Sequence, residues 1–409
     1  MDNAFPSMRL QGALAIDGGQ PVRHEQLPPW PQFSEEEIKA AGTVLRSGRV
    51  NYWTGDECRL FEAEFAAYHG VRYAVALANG TLALELAIRV LGIGEGDEVI
   101  VTPRSYFASA SSIAICGATP VFADISADSQ NVTADTIAPH ISARTRALLV
   151  VHLAGWPSHM PSIMQLARAR GLRVIEDCAQ AHGARIDDQL VGSFGDIGAF
   201  SFCQDKIMST AGEGGMLITD DEKLWEAAWS FKDHGKSWSR THADDHGPGF
   251  RWLHDSVGSN WRLTEIQACI GRLQMAKLDT WVRARRRNAL RLTEGLKDLK
   301  ALRIPQPAKN EYHSYYKFYA FLNLDLLNPG WSRDLVLQSL EAEGIPGLSG
   351  SCPEIYREEA FAQCGYPTLP VANQLGETSM MLPVHPTLED VDIDDMVDAV
   401  RKVLAAAAT

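Results

Sequence analysis

The 409-residue chain has no Cys-x-x-Cys pair, the usual signature of a zinc site or a redox-active dithiol. Its seven cysteines (58, 116, 178, 203, 269, 352, 364) are odd in number and widely dispersed, so they read as reduced thiols and not as a disulfide framework. No metal site is expected. No apolar run approaches the roughly 18 residues of a membrane helix, and the start "MDNAFPSMRLQGALAIDGG" has no basic segment leading into an apolar one. A cytoplasmic protein without a membrane partner is the expectation. Positive charge is scarce too: 51 acidic against 38 basic residues give a net charge of −13. That balance argues against a nucleic-acid partner, because phosphate binding relies on concentrated Lys and Arg. The one basic cluster, "VRARRRNALR" from Val282 to Arg291, reads as a helix with a solvated arginine face.

With hydrophobic residues at 45% and charged residues at 22%, the chain has the composition of a packed globular protein, and its length suits two domains. Residues 1–30, with "GGQP" and "LPPWPQ", read as an extended arm that lies on something else. "SEEEIKAAGTVLRSG" opens with Ser34 three residues before Glu37, a capping-box spacing, and ends at Gly48. Short β-rich runs then alternate with helical periods: "YAVALAN" and "TLALELAIRVLGIG", "DEVIVTP" and "FASASSIAICGA", "TPVFADI" and "ADTIAPHI", "RALLVVHL" and "SIMQLARARG", and finally "LRVIEDC". This predicts an α/β fold with a mostly parallel central sheet, helices on both faces, and ligands bound beyond the carboxyl ends of the strands. The large domain is expected over 31–282 and a smaller C-terminal α+β domain over 283–409. In the latter "YYKFYAFLNL" is strand-like, and Ile393, Met396, Val397, Val400 and Leu404 form an apolar stripe on an acidic helix.

Four loops after strands hold residues with chemical uses. In "ANGTLALELA", Gly80 and Thr81 open a helix directly after a strand, where backbone N–H groups and the helix dipole favour an anion. In "RVIEDCAQAHGA" a β-run ends in Glu176 and Asp177, and a buried carboxylate there needs a metal, an arginine, a protonated ring nitrogen or a helix to cap. In "PRSYFASA", Phe107 lies at the pocket edge, either to stack on a flat ligand or as a core phenylalanine. In "AFSFCQDKIMSTAGEGG", Ser201 ends a strand and Lys206 follows, either as a nucleophile toward carbonyls or as a side chain that snorkels to solvent. Together, a phosphate cradle, a ring stacker, a carboxylate for a ring nitrogen and a lysine for an aldehyde match the attachments of pyridoxal 5′-phosphate.

The stretches "NGTLALELA", "GDEVIVTPRSYFASASSIAICGATPVFADI", "VIEDCAQAHGA", "GSFGDIGAFSFCQDKIMSTAGEGGMLITDD" and "GSNWRLTEIQACIGRLQ" resemble, in order, the DegT/DnrJ/EryC1/StrS family of sugar aminotransferases. The resemblance implies the fold type I transferase architecture and pyridoxal phosphate as cofactor. It implies that Lys206 holds the cofactor covalently, that Asp177 pairs with the pyridine nitrogen, and that Gln180 lies near the ring hydroxyl with Phe107 stacked on the ring. Gly80, Thr81 and Ser201 would hold the phosphate, with Asn260 of "GSNWR" reaching it from a second subunit of a homodimer. It also implies glutamate or glutamine as amino donor and a nucleotide-linked keto-sugar as acceptor. Asn79 stands where many members have Ser, and Ile207 where many have Asn after the lysine. The "QDKIMSTAGEGG" wording is also similar to members acting on keto-cyclitols or making an aminohydroxybenzoate, which keeps those acceptors open. A dehydratase branch would carry histidine in place of Lys206, and a catalytically silent regulatory homologue would be expected to lack Asp177 or Lys206; both residues are present.

Overall fold

The computed structural model describes residues 12–243 and 249–408; the first part of the expected arm and part of the loop before Phe250 lie outside them. Helix Glu35–Ser47 starts and stops as its sequence dictates. Ser34 accepts from the Glu37 amide while the Glu37 carboxylate accepts from the Ser34 amide at 2.6 Å, and Gly48 closes the helix at φ 67°.

The strands are β1 Tyr73–Leu77, β2 Glu98–Val101, β3 Thr119–Phe122, β4 Thr145–Val151, β5 Arg173–Asp177, β6 Arg185–Ile186, β7 Gln189–Leu190, β8 Ile197–Ser201 and β9 Gly215–Thr219. They continue with β10 Leu302–Arg303, β11 Glu311–Tyr312, β12 Phe318–Leu322 and β13 Ser379–Leu382. The central sheet has seven strands in the order β1-β9-β8-β5-β4-β2-β3, parallel from β8 through β3, with β9 antiparallel to both β8 and β1. Side chains alternate between its two faces, as the pleat requires. Val75 and Leu77 of β1 enter one buried cluster, and Ala74 and Ala76 enter the other. Both faces are therefore covered, as the near-continuous apolar runs "AVAL" and "ALLVV" imply.

A second core lies under the antiparallel sheet β10-β12-β13, packed by helices Leu278–Leu296, Arg333–Ala342 and Asp390–Ala407. The expected stripe on the last helix is buried in full: Ile393, Met396, Val397, Val400 and Leu404 all face inward. The segment carrying Ile355, Tyr356, Phe361 and Leu369 turns back onto the core of the large sheet.

The arginine-rich helix corrects the expectation of a solvated face. It is helix Leu278–Leu296, and its inward stripe Leu278, Val282, Arg285, Ala289, Leu292 and Leu296 is buried. Arg283 and Arg287 stay exposed, but Arg285 shares the 3.6-residue spacing of the apolar stripe and is enclosed with it, only 2% exposed. Its Nη1 donates to the Tyr316 carbonyl at 3.0 Å, and burial draws its pKa down to about 9. The strand-like run "YYKFYAFLNL" forms a shorter strand than it suggests: β12 covers Phe318–Leu322, and Tyr315, at φ 48°, lies outside it.

Two buried histidines beneath β8 tie stability to pH. Burial lowers His69 to about 4 and His182 to about 3, against an ordinary value of 6.5. The unfolded chain then binds more protons than the native one below pH 6.5, so the stability these neutral rings contribute is complete above pH 6.5 and is lost as pH falls toward 4. Calorimetry between pH 7.5 and 4.5 should show Tm decreasing with a slope that His182→Gln reduces. An unchanged slope in that variant would remove His182 as the cause.

Candidate active site

One cavity of about 810 Å³ opens beyond the carboxyl ends of β1, β2, β5 and β8. Gly80, Thr81, Asp177, Gln180, Ser201 and Lys206, read separately from the sequence, all line it. Asn79, just past the end of β1, begins helix Gly80–Val90 by accepting from the Leu82 amide at 2.9 Å. The first-turn amides of Gly80 and Thr81 have no acceptor within the helix, so this N-terminus offers an anion cradle to the cavity. Glycine is required at position 80 because a Cβ there would lie 2.5 Å from the Ser201 Cβ. The helix start and the end of β8 therefore close into one pocket wall.

Glu176 and Asp177 are neighbours on β5, and the strand sends them to opposite sides. Glu176 is a structural hub: Oε1 accepts from the Phe194 and Gly195 amides at 2.8 and 2.7 Å, and Oε2 accepts from the Gly192 amide at 2.8 Å and meets His152 Nε2 at 3.0 Å. Glu176, His152 and Cys178 have their ligand-type atoms within 4.8 Å of one another, but these contacts already occupy both carboxylate oxygens. Asp177 instead lines the cavity, 5% exposed, with Oδ2 accepting from Ser109 Oγ at 2.8 Å and Oδ1 from the Ala179 amide at 3.1 Å. Burial raises its carboxyl above the ordinary value, and the two hydrogen bonds with the charges of Lys206 and His152 offset this only in part. Such a group calls for a cationic partner.

Lys206 follows β8 on a loop held at both ends of its own peptide unit. Its amide donates to the Cys203 carbonyl at 3.1 Å, and its carbonyl accepts from Trp30 Nε1 at 2.8 Å. The arm expected to lie on something else thus rests, at Trp30, on the lysine loop. Lys206 Nζ sits 3.8 Å from Asp205 Oδ1 and 5.1 Å from the Tyr316 ring centre, with 15% of the side chain exposed. Gln180 Oε1 is committed to the Ala154 amide at 2.9 Å, which leaves its NH2 group as the donor available to the cavity.

Two of the sequence-derived residues are placed elsewhere. Phe107 is half-buried at the start of helix Ala108–Ile115, its ring centre 5.5 Å from that of Phe361, while its neighbours Tyr106 and Ala108 line the cavity. Asn260 is exposed and bridges to Asp233, away from the cavity of its own chain. Sequence reasoning passed over Asp205 and Ser109, which line the site together with Tyr316. Asp205 was legible as the acid directly before Lys206, whereas Ser109 carried no local signal.

Because Glu176 satisfies three amides at once, Glu176→Gln turns one acceptor into a donor facing an N–H group. A loss of about 2–4 kcal/mol is expected, read as a Tm lower by several degrees. A Tm within about 1 °C of the original would show the hub to be dispensable.

The arrangement fits pyridoxal phosphate: an anion cradle that one methyl group would fill, a buried carboxylate short of a cation, and a primary amine in the same cavity. Residues 31–401 match the model of the DegT/DnrJ/EryC1/StrS aminotransferase family. The chain is 38% identical over 370 residues to a UDP-N-acetyl-3-dehydro-α-D-glucosamine 3-aminotransferase of Acidithiobacillus ferrooxidans, covering 90% of this chain and 94% of the relative. It is 35% identical over 375 residues to a dTDP-3-amino-3,4,6-trideoxy-α-D-glucose transaminase of Streptomyces venezuelae, covering 91% and 93%. The X-ray structure of an aminotransferase from Psychrobacter cryohalolentis superposes with a TM-score of 0.91 at 48% identity, covering 93% of this chain and 99% of that one. The cavity geometry and this likeness over nearly the whole length agree: the chain belongs to the DegT/DnrJ/EryC1/StrS family and is a pyridoxal phosphate-dependent aminotransferase of fold type I.

Proposed function

We propose that the protein moves an amino group from glutamate or glutamine to the carbonyl of a nucleotide-linked keto-sugar. The observation that carries this is the constellation of Lys206, Asp177 and the Gly80–Ser201 cradle in one cavity. The acceptor class draws on the two relatives above, whose names place the amino group at carbon 3 of a sugar nucleotide. A 3-keto-sugar is accordingly the first acceptor to test.

The bound cofactor supplies a ring that accepts the electron pair left when the donor Cα loses its proton. Asp177 would keep the pyridine nitrogen protonated by offering it a buried carboxylate short of a cation. Lys206 would take the donor Cα proton as general base and return it as general acid. Gly80, Thr81 and Ser201 would hold the phosphate, the Gln180 amide would meet the ring hydroxyl, and Phe107 would stack on the ring. Asn260, exposed on its own chain, completes the phosphate site of a second copy, so the working unit is a homodimer. A cytoplasmic location and a division into domains at residues 31–282 and 283–409 belong to the same reading.

The direct test loads the protein with pyridoxamine phosphate, adds keto-sugar nucleotides, free keto-sugars and inososes, and follows the return of the visible cofactor band. Return with a sugar nucleotide alone is the expected result; return with inososes alone would replace the acceptor class. Lys206→Ala should lose the visible band and slow the half-reaction by about 10²–10⁴-fold. A variant that keeps the original rate would show the lysine to be misassigned. Gly80→Ala, whose Cβ would press on Ser201 and part the two walls of the cradle, should weaken pyridoxal phosphate binding by at least about tenfold in an equilibrium titration. Unchanged affinity would move the phosphate site elsewhere.

A further inference from the structure

Asp205 and Lys317 line the cavity beside Lys206 and are not needed to hold the cofactor. They flank Tyr316. The Tyr316 hydroxyl donates to Asp205 Oδ2, which fixes the carboxylate and leaves Oδ1 on the side of the Lys206 amine, 3.8 Å away. That separation exceeds hydrogen-bond range, so Oδ1 keeps acceptor capacity where an incoming amine must arrive to displace the lysine. Burial opposes ionisation of Asp205, but the charge of Lys206, the Tyr316 hydrogen bond and the charge of Lys317 together hold its carboxyl below the usual carboxylate value. It is an anion at neutral pH.

Lys317 Nζ lies 5.2 Å from the Tyr316 ring centre and makes no ion pair among the described residues. Burial, then the charges of Arg285 and Lys206, push its amine below the ordinary lysine value. Arg285, enclosed behind Tyr316, has Nε and Nη2 without partners. Lys206, Lys317 and Arg285 are thus three basic side chains whose charges act on Asp205, with Glu213 the further carboxylate lining the cavity. Excess positive charge in a half-buried wall is unfavourable until an anion neutralises it. A diphosphate would answer Lys317 but would be repelled by Asp205, whereas an amino acid presents a positive and a negative group one carbon apart. Lys206 Nζ and Lys317 Nζ lie 5.1 and 5.2 Å from the centre of the same ring, and both line the cavity with Asp205.

We propose that Asp205 and Lys317 recognise the amino donor as a zwitterion, Asp205 receiving its ammonium group and Lys317 its α-carboxylate. The inference rests on the aminotransferase reading above and names the residues that select its donor.

The test uses the cofactor-loaded protein and calorimetric titration with α-methyl-L-glutamate, which has no α-hydrogen and so binds without being turned over. Lys317→Gln and Asp205→Asn should each raise the Kd at least about tenfold, while the Kd for UDP stays within about twofold of the original. Lys317→Arg should recover most of the affinity. 4-Aminobutyrate, which lacks the α-carboxylate, should bind Lys317→Gln as well as it binds the original protein. Amino-acid affinity within about twofold of the original in both variants, or a loss confined to UDP, overturns the inference while leaving the aminotransferase reading intact. A protein that gives no heat with the amino acid before any substitution, yet aminates keto-sugars from pyridoxamine phosphate, overturns the donor assignment alone. Failure of both reactions overturns the reading beneath it.

Discussion

The site depends on one unfavourable burial: a carboxylate, Asp177, placed at the floor of a cavity where water scarcely reaches it. Two hydrogen bonds are too few to offset its desolvation, so the folded chain holds a group that is stable as an anion only beside a cation. Every neighbouring element is arranged around that deficit. Ser109 comes from the helix after β2, Ala179 from the turn after β5, and Lys206 from the loop after β8. Behind it, Glu176 ties the end of β5 to the 192–195 turn, so the strand that presents Asp177 is anchored from its other side. A loosely held Asp177 would swing to water and lose the electrostatic purpose of its position.

Residues whose roles follow from local chain direction were legible in the sequence. Gly80, Asp177 and Ser201 each stand at the end or just past the end of a β-run, and a parallel sheet gathers such ends along one edge. The Ser34 cap and the stripe from Ile393 to Leu404 were equally plain, because capping and 3.6-residue periodicity are properties of contiguous residues. What stayed hidden depends on contacts across hundreds of residues. Arg285 looked like its exposed neighbours Arg283 and Arg287, and only the second core packed on the same helix shows that its face is enclosed. Tyr316 and Lys317 sat in an unbroken aromatic run, and nothing local announced that a positive φ at Tyr315 would turn them into the cavity.

Distribution of charge on a small scale matters more here than the total. The chain as a whole is strongly acidic, at −13, which disfavours anionic partners over most of its surface. Inside the cavity both signs meet: the Gly80 helix start, Lys206 and Lys317 offer positive charge, and Asp177, Asp205 and Glu213 line the same walls. Low-dielectric walls focus such local fields, so a ligand that carries both signs is sorted group by group against the walls it meets.

Within that enclosure Asp177 and Asp205 are differentiated by exposure. Asp177 is sealed at the floor and can serve only a group that stays in place, such as a ring nitrogen. Asp205, with its side chain 51% exposed, borders the region through which ligands come and go. The charges of Lys206 and Lys317 and the Tyr316 hydrogen bond on Oδ2 keep it ionised against burial, so Oδ1 can release one amine and accept another. The same residue type thus supports a resident charge and a transient one. The difference arises from β5 being a central strand covered on both faces, while Asp205 lies on the open loop that follows β8.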